Sequence, residues 1–121
     1  MDSTQKLKYY EGDFVKLNGE DTVYEFVKID RPWLYVKYLD KDTIINTSIE
    51  NIRPIPLTEE FLYKNSYSVY RTPDYTQYAL NEIYVIKQID GKFKFNGVEL
   101  LYIHELQHLI DLLKIDKPLE L

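Results

Sequence analysis

Residues 22–39, TVYEFVKIDRPWLYVKYL, carry the pattern that decides the fold. Two runs of alternating side chains, 22–29 and 33–39, are separated by Asp30-Arg31-Pro32. The alternation groups Tyr24, Phe26 and Lys28 on one face of the first run, and Trp33, Tyr35 and Lys37 on one face of the second. Successive side chains of a strand point to opposite sides, so the pattern predicts two adjacent β-strands.

The flanking sequence extends this pair into a compact β unit. A short strand at 13–17 precedes Asn18-Gly19, a hairpin signal because both residues tolerate the positive φ angles of tight turns. A fourth strand is predicted at 43–47, followed by one helical turn at 48–52 and a last strand ending near Pro56. This order is similar to that of SH3-like barrels, and we expect such a barrel over residues 1–56.

The second half of the chain predicts a helix, a second sheet and a final helix. Residues 57–66 form a linking helix that Thr58 caps, with Glu59 and Glu60 at its positive end. Residues 67–121 form an antiparallel sheet followed by a C-terminal helix from about 102 to 114 that packs on it. Residues 75–89 are either two strands or one strand kinked at Asn81. The fold class is therefore α+β, and both halves are compatible with one shared core.

Composition excludes several classes of protein. The 121 residues include no cysteine, which excludes disulfides and thiolate chemistry, and the net charge of −5 disfavours nucleic acid. No apolar run is long enough to span a bilayer, and no signal peptide is visible at the N-terminus. A cytoplasmic protein is expected, with no membrane partner, and a homo-oligomer is compatible with the sequence.

The C-terminal helix contains His104-Glu105-Leu106-Gln107-His108, the His-Glu-x-x-His pattern of zinc metallopeptidases. Histidines four residues apart on a helix can both reach one metal, and the glutamate can act as general base on zinc-bound water. As an alternative function, the chain is a zinc metallopeptidase with His104 and His108 as ligands and Glu105 as base.

Two features favour a non-catalytic helix without a cofactor instead. A catalytic zinc needs a third protein ligand, and the candidates that follow the motif are Asp111, Asp116 and Glu120, none at a usual spacing. The leucine-rich side of the helix also lies opposite the histidines: Tyr102, Leu106, Leu109, Ile110 and Leu113 cluster together. We therefore expect the leucines to be buried and His104 and His108 to be solvated.

Aromatic residues of the first unit are the main candidate binding site. The set consists of Tyr24, Phe26, Trp33 and Tyr35. Exposed rings on a small barrel can hold a proline-rich or cationic peptide, whereas buried rings fill the core. The sequence alone leaves both interpretations open, with core filling favoured.

Two segments resemble a family of uncharacterised small proteins of Bacteroidetes phages and mobile elements. One spans residues 54–65, where the family resembles Pro-Ile-Pro-Leu-Thr-Glu-Glu, an apolar pair and then Lys-Asn. The other spans 102–109, where the family resembles Tyr-Val-His-Gln-Leu-Gln-Asn-Leu and this chain departs at Glu105 and His108. The resemblance implies a bacterial cytoplasm as the setting and makes the zinc motif coincidental.

These observations together predict a non-catalytic accessory protein of a phage or mobile element that binds another protein. The zinc metallopeptidase is the alternative. Nucleic-acid binding by the first β unit is a third option, which the acidic balance of the chain disfavours.

Overall fold

A computed structural model describes residues 8–115 and 119–121 of the chain. In this part of the chain, two five-stranded antiparallel sheets and two helices confirm the α+β class. The chain forms two compact units, of which one ends at Ile55 and the other begins at Pro56.

The first unit is a five-stranded sheet. Its strands are β1 Phe14–Leu17, β2 Val23–Asp30, β3 Trp33–Tyr38, β4 Ile44–Ser48 and β5 Ile52–Pro54. In the sheet they have the order β4-β3-β2-β1-β5. A 3₁₀ turn at Ile49–Asn51 separates β4 from β5, as the sequence predicted.

One face of this sheet forms the core of the first unit. The alternation at 22–39 turns every second side chain inward, so the apolar residues of β1 to β3 meet on one side. The buried cluster consists of Val15, Leu17, Tyr24, Phe26, Leu34, Val36 and Ile52.

A β-bulge at Val27 corrects one detail of the predicted alternation. Phe26 lies opposite Val36, but the next pair is Lys28 with Tyr35, so Val27 is an extra residue in β2. The extra residue moves Lys28 from the face of Tyr24 and Phe26 to the outer face. Regular alternation could not predict this shift, because the bulge breaks the period of two.

No strand pairing closes the first sheet into a barrel within residues 8–115 and 119–121. β4 pairs with β3 and β5 pairs with β1, and these two strands are the ends of the sheet. The expectation of a closed barrel is therefore wrong for the described residues.

The second unit contains the other sheet and both helices. Its strands are β6 Ser68–Arg71, β7 Tyr75–Leu80, β8 Ile83–Gln88, β9 Phe93–Phe95 and β10 Val98–Leu100. Their order in the sheet is β10-β9-β8-β7-β6. The helices are α1 Glu59–Asn65 and α2 Ile103–Leu112. None of the described helices is of a length and apolarity that would carry it across a bilayer.

The strands β7 and β8 resolve the alternative at Asn81. Leu80 pairs with Ile83, so residues 75–88 form a hairpin rather than one kinked strand. Asn81 has φ 58°, in the left-handed region that asparagine tolerates better than most residues.

Polar contacts at both ends fix α1. Thr58 Oγ1 accepts a hydrogen bond from the Phe61 N–H at 3.2 Å, the predicted N-cap. At the other end, the buried Asn65 amide donates to the carbonyls of Phe61 and Glu120, and its oxygen accepts from the Glu120 N–H. The C-terminal residues 119–121 are thereby tied to this helix.

We predict that Leu34→Ala lowers the free energy of unfolding of the first unit by about 2–5 kcal/mol, because the Leu34 side chain is fully buried. The matched control Ile44→Ala removes an exposed aliphatic side chain and is expected to cost less than about 1 kcal/mol. Urea denaturation followed by the fluorescence of Trp33, the one tryptophan, measures both. Equal losses of stability in the two variants would contradict the assignment of Leu34 to the core.

Candidate functional site

Glu105 is held by the start of its own helix. Its Oε1 accepts hydrogen bonds from the backbone N–H of Leu101 at 2.8 Å and of Tyr102 at 2.9 Å. A glutamate at this position satisfies N–H groups that have no partner within the helix. The carboxylate therefore acts as a helix cap and points back along the chain toward β10.

The two histidines lie close together, as their spacing predicts. The ring centroids of His104 and His108 are 5.4 Å apart in an edge-to-face arrangement. On its other side, His104 stacks on Tyr102 at 5.7 Å with an interplanar angle of 13°. The motif thus forms a row of three rings along the first turns of α2.

The expectation that His104 and His108 are solvated is wrong for His104. His104 is only 1% exposed, and His108 is half-buried. The buried side of α2 is formed by Ile103, His104, Leu106 and Ile110, while Leu113 is exposed.

Two backbone contacts tie the start of α2 to the chain before α1. Pro56 forms an isolated antiparallel bridge with Tyr102, and the Leu57 N–H donates to the Leu101 carbonyl at 2.9 Å. These contacts fix the position of the chain at the start of α2, where Ile103 and His104 are buried while Leu101 itself is exposed. The chain at the other end of the helix exposes Leu112 and Leu113.

No three His, Asp or Glu side chains are grouped to hold a metal ion within residues 8–115 and 119–121. Of the proposed third ligands, Asp111 and Glu120 are exposed, and Asp116 lies outside the described residues. The absence of a metal cofactor stays a prediction.

The four aromatic residues proposed as a binding site divide between two faces of the first sheet. Tyr24 and Phe26 lie in the core, at 3% and 6% exposure. The Tyr24 hydroxyl donates to Glu20 Oε1 at 2.5 Å, which gives the buried phenol a partner. These two rings fill the core and leave Trp33 and Tyr35 as the candidates for contact.

Trp33 and Tyr35 lie on the outer face of the first sheet, two residues apart on β3. Trp33 is 48% exposed, whereas Tyr35 is half-buried and carries the Lys28 ammonium 5.0 Å from its ring centroid. Because of the bulge at Val27, Lys28 covers Tyr35. The indole of Trp33 is therefore the ring with the more accessible surface.

The second sheet has an exposed aromatic surface that was not predicted from the sequence. Strand register places Tyr70, Tyr75 and Tyr84 on the face opposite the buried Tyr78 and Val85. We call this surface the tyrosine face; its β6, β7 and β8 residues are Ser68, Tyr70, Tyr75, Gln77, Tyr84, Ile86, Gln88 and Ala79, of which Ala79 is buried. None of the eight is charged. The alternation of residues 75–88 could have predicted this surface if the segment had been interpreted as two paired strands.

A shallow cleft of about 310 Å³ lies at one end of the second sheet, between the β6–β7 and β8–β9 turns. Its polar lining includes Asp74, Asp90 and Lys87, and the Lys87 ammonium is already paired with Glu59. The lining of this cleft is typical of surface turns rather than of a preorganised set of catalytic residues.

Comparison of the chain with protein-family models, curated proteins and solved structures found no match.

We predict that Glu105→Ala lowers the stability of the second unit by about 1 kcal/mol, because two N–H groups lose their acceptor. Glu105→Gln retains an oxygen at the same place and is expected to recover most of this loss. Far-UV circular dichroism during urea denaturation compares the two variants. Equal losses would show that charge, and not the acceptor, is what Glu105 supplies.

Tyr24 makes the stability of the first unit depend on pH in alkali. The hydrogen bond to Glu20, with burial, raises the pKa of Tyr24 to about 12. The folded state therefore favours the protonated phenol, and this contribution is complete below about pH 10, the usual tyrosine pKa, and is lost as pH rises toward 12. Between these values, the free energy of unfolding should fall more steeply in the wild type than in Tyr24→Phe. Parallel curves from urea denaturation would contradict this assignment.

Proposed function

We propose that the protein is a non-catalytic accessory protein that binds another protein through the outer face of its first sheet. The observation that carries this proposal is the 48% exposure of Trp33 on a regular strand. Tryptophan is strongly enriched among residues that dominate binding energy, because it buries a large rigid surface on contact. Tyr35 lies beside it, and Ile44 on the adjacent strand is also exposed.

The architecture of the first unit supports an SH3-like relationship as part of this proposal. The strand order β4-β3-β2-β1-β5 and the 3₁₀ turn between β4 and β5 are both features expected of such a unit. Small folds of this kind serve many functions, so the contact surface and not the fold carries the functional argument.

The chemistry around Trp33 favours a proline-rich segment over a cationic one. Lys28 already occupies the ring of Tyr35, so an incoming cation would have to displace that ammonium, whereas Lys37 on the same face is paired with Asp42. A proline ring can pack on the exposed indole of Trp33 without that displacement.

The non-catalytic part of the proposal rests on the state of Glu105. A general base must be free to take a proton from water, whereas this carboxylate already accepts two backbone hydrogen bonds. The resemblance of 54–65 and 102–109 to proteins of phages and mobile elements supports a bacterial cytoplasm as the place of action.

We predict that Trp33→Ala weakens binding of the partner by about 30-fold or more, a loss of about 2 kcal/mol that is typical of a dominant contact residue. The matched control is Tyr84→Ala, which removes an equally exposed ring, at 48%, from the second unit. The partner is first captured from host cytoplasm and identified by mass spectrometry. Its dissociation constant is then measured with each variant by calorimetry.

The emission of Trp33 provides a direct test of the site, since no other tryptophan contributes. Binding should shift the emission to shorter wavelength and protect it from acrylamide, with a proline-rich peptide more effective than a lysine-rich one. An unchanged spectrum in the saturated complex, or equal affinity losses in the two alanine variants, would exclude Trp33 as the contact.

A further inference from the structure

The two edges of the second sheet differ in how the chain continues beyond them. After β10, Leu101 accepts a hydrogen bond from Leu57 and Tyr102 bridges to Pro56, so the chain extends the pairing at that edge. At the opposite edge, β6 has β7 as its one strand neighbour in the described part of the chain. An edge strand presents backbone groups that can pair with a further strand.

The register of β6 on β7 identifies which backbone groups point outward. The Thr72 N–H donates to the Tyr75 carbonyl at 2.9 Å, and Tyr70 lies opposite Gln77. Hydrogen-bonded and non-hydrogen-bonded pairs alternate along an antiparallel ladder. Ser68 and Tyr70 therefore bond to β7, while the N–H and C=O groups of Val69 and Arg71 face away from the sheet.

Charge makes this edge suitable for contact between two copies of the same chain. The chain carries a net charge of −5, which opposes contact between acidic parts of two copies. The strand β6 contains no acidic residue, and the β6, β7 and β8 residues of the tyrosine face beside it are uncharged. Two copies that meet at β6 thus bring no carboxylate of this strand against another.

We propose that two copies of the protein associate by antiparallel pairing of β6 with β6, about a two-fold axis beside Tyr70. In this register, Val69 of each copy exchanges backbone hydrogen bonds with Arg71 of the other, so every outward group of β6 is paired. The two Tyr70 residues face each other at a non-hydrogen-bonded position, where Cα atoms lie about 4.5 Å apart. This inference is independent of the function proposed for Trp33.

Other two-fold registers of the same strand fit less well. An axis at Arg71 sets two guanidinium groups opposite each other, and like charges directly across a ladder destabilise it. An axis at Val69 sets Arg71 against Tyr67, whose N–H already donates to the Ala79 carbonyl at 3.0 Å. The register centred on Tyr70 avoids both costs and adds an aromatic cross-strand pair.

The pairing would join two tyrosine faces into one continuous surface across the second sheets of both copies. Tyr70 is 59% exposed in the single chain and becomes the centre of that surface. A four-residue edge buries less than the roughly 800 Å² per partner of a standard interface. Association is therefore expected to be weak and to depend on protein concentration.

A disulfide variant tests the register directly, because the chain contains no cysteine. In Tyr70→Cys, the two sulfurs lie within bridging distance, and mild oxidation should give a covalent dimer of twice 14.5 kDa. The matched control Ser68→Cys is on the same strand and face and is also exposed. In the proposed register its two copies are about 13 Å apart, too far for a disulfide. Tyr70→Cys should cross-link about tenfold faster or more.

Sedimentation equilibrium tests the association without a new cysteine. The mass of the wild type should rise from 14.5 kDa toward twice that value with concentration. Arg71→Pro removes an outward N–H and should remain monomeric, whereas Arg71→Ala retains the N–H and should still associate. Circular dichroism checks that both variants fold.

A wild type that stays at 14.5 kDa at all concentrations, with equal cross-linking of the two cysteine variants, overturns the proposal. The same result together with binding of an extended foreign peptide at β6 would assign this edge to another protein.

Discussion

Burial of one face of each antiparallel sheet is the constraint on which the rest of this structure depends. In the first unit it draws Tyr24, Phe26 and Leu34 into the core and leaves Trp33 outside. In the second unit it buries Tyr78 and leaves Tyr70, Tyr75 and Tyr84 in solvent. Neighbouring residues of a strand face opposite sides, so the aromatic residues of these strands divide between the core and the solvent. The exposed rings of Trp33 and of the tyrosine face both result from this rule.

The His-Glu-x-x-His motif in α2 has the spacing of a metal site, but its residues also make structural contacts. His104 and His108 have the spacing of metal ligands and lie close together. Glu105, however, caps the backbone, and His104 is buried beside Tyr102. A capped first turn stabilises the helix and fixes where it begins. The contacts explain a structural contribution of this motif, since Glu105 accepts from two N–H groups at the helix start and His104 packs in the interior beside Tyr102.

The two proposed surfaces have different physical characters. The surface around Trp33 combines an exposed indole with the ring of Tyr35, which Lys28 already covers, and it suits a partner that packs on a ring without positive charge. The edge at β6 offers backbone groups and uncharged side chains, and it suits an identical strand. If both act, a weak dimer would present two copies of the Trp33 surface, which can strengthen binding to a partner with repeated sites.

Local patterns in the chain were enough to specify the strands of the first unit, the turn at Asn18-Gly19, the cap at Thr58 and the α+β class. Tertiary structure decided the bulge at Val27, the open sheet and the burial of His104. A bulge depends on how two strands meet, and helix burial depends on contacts such as Pro56 with Tyr102, far apart in the chain. Alternation could separate the two faces of a strand, but only the packing within each unit decided which face met solvent, because burial depends on what lies opposite.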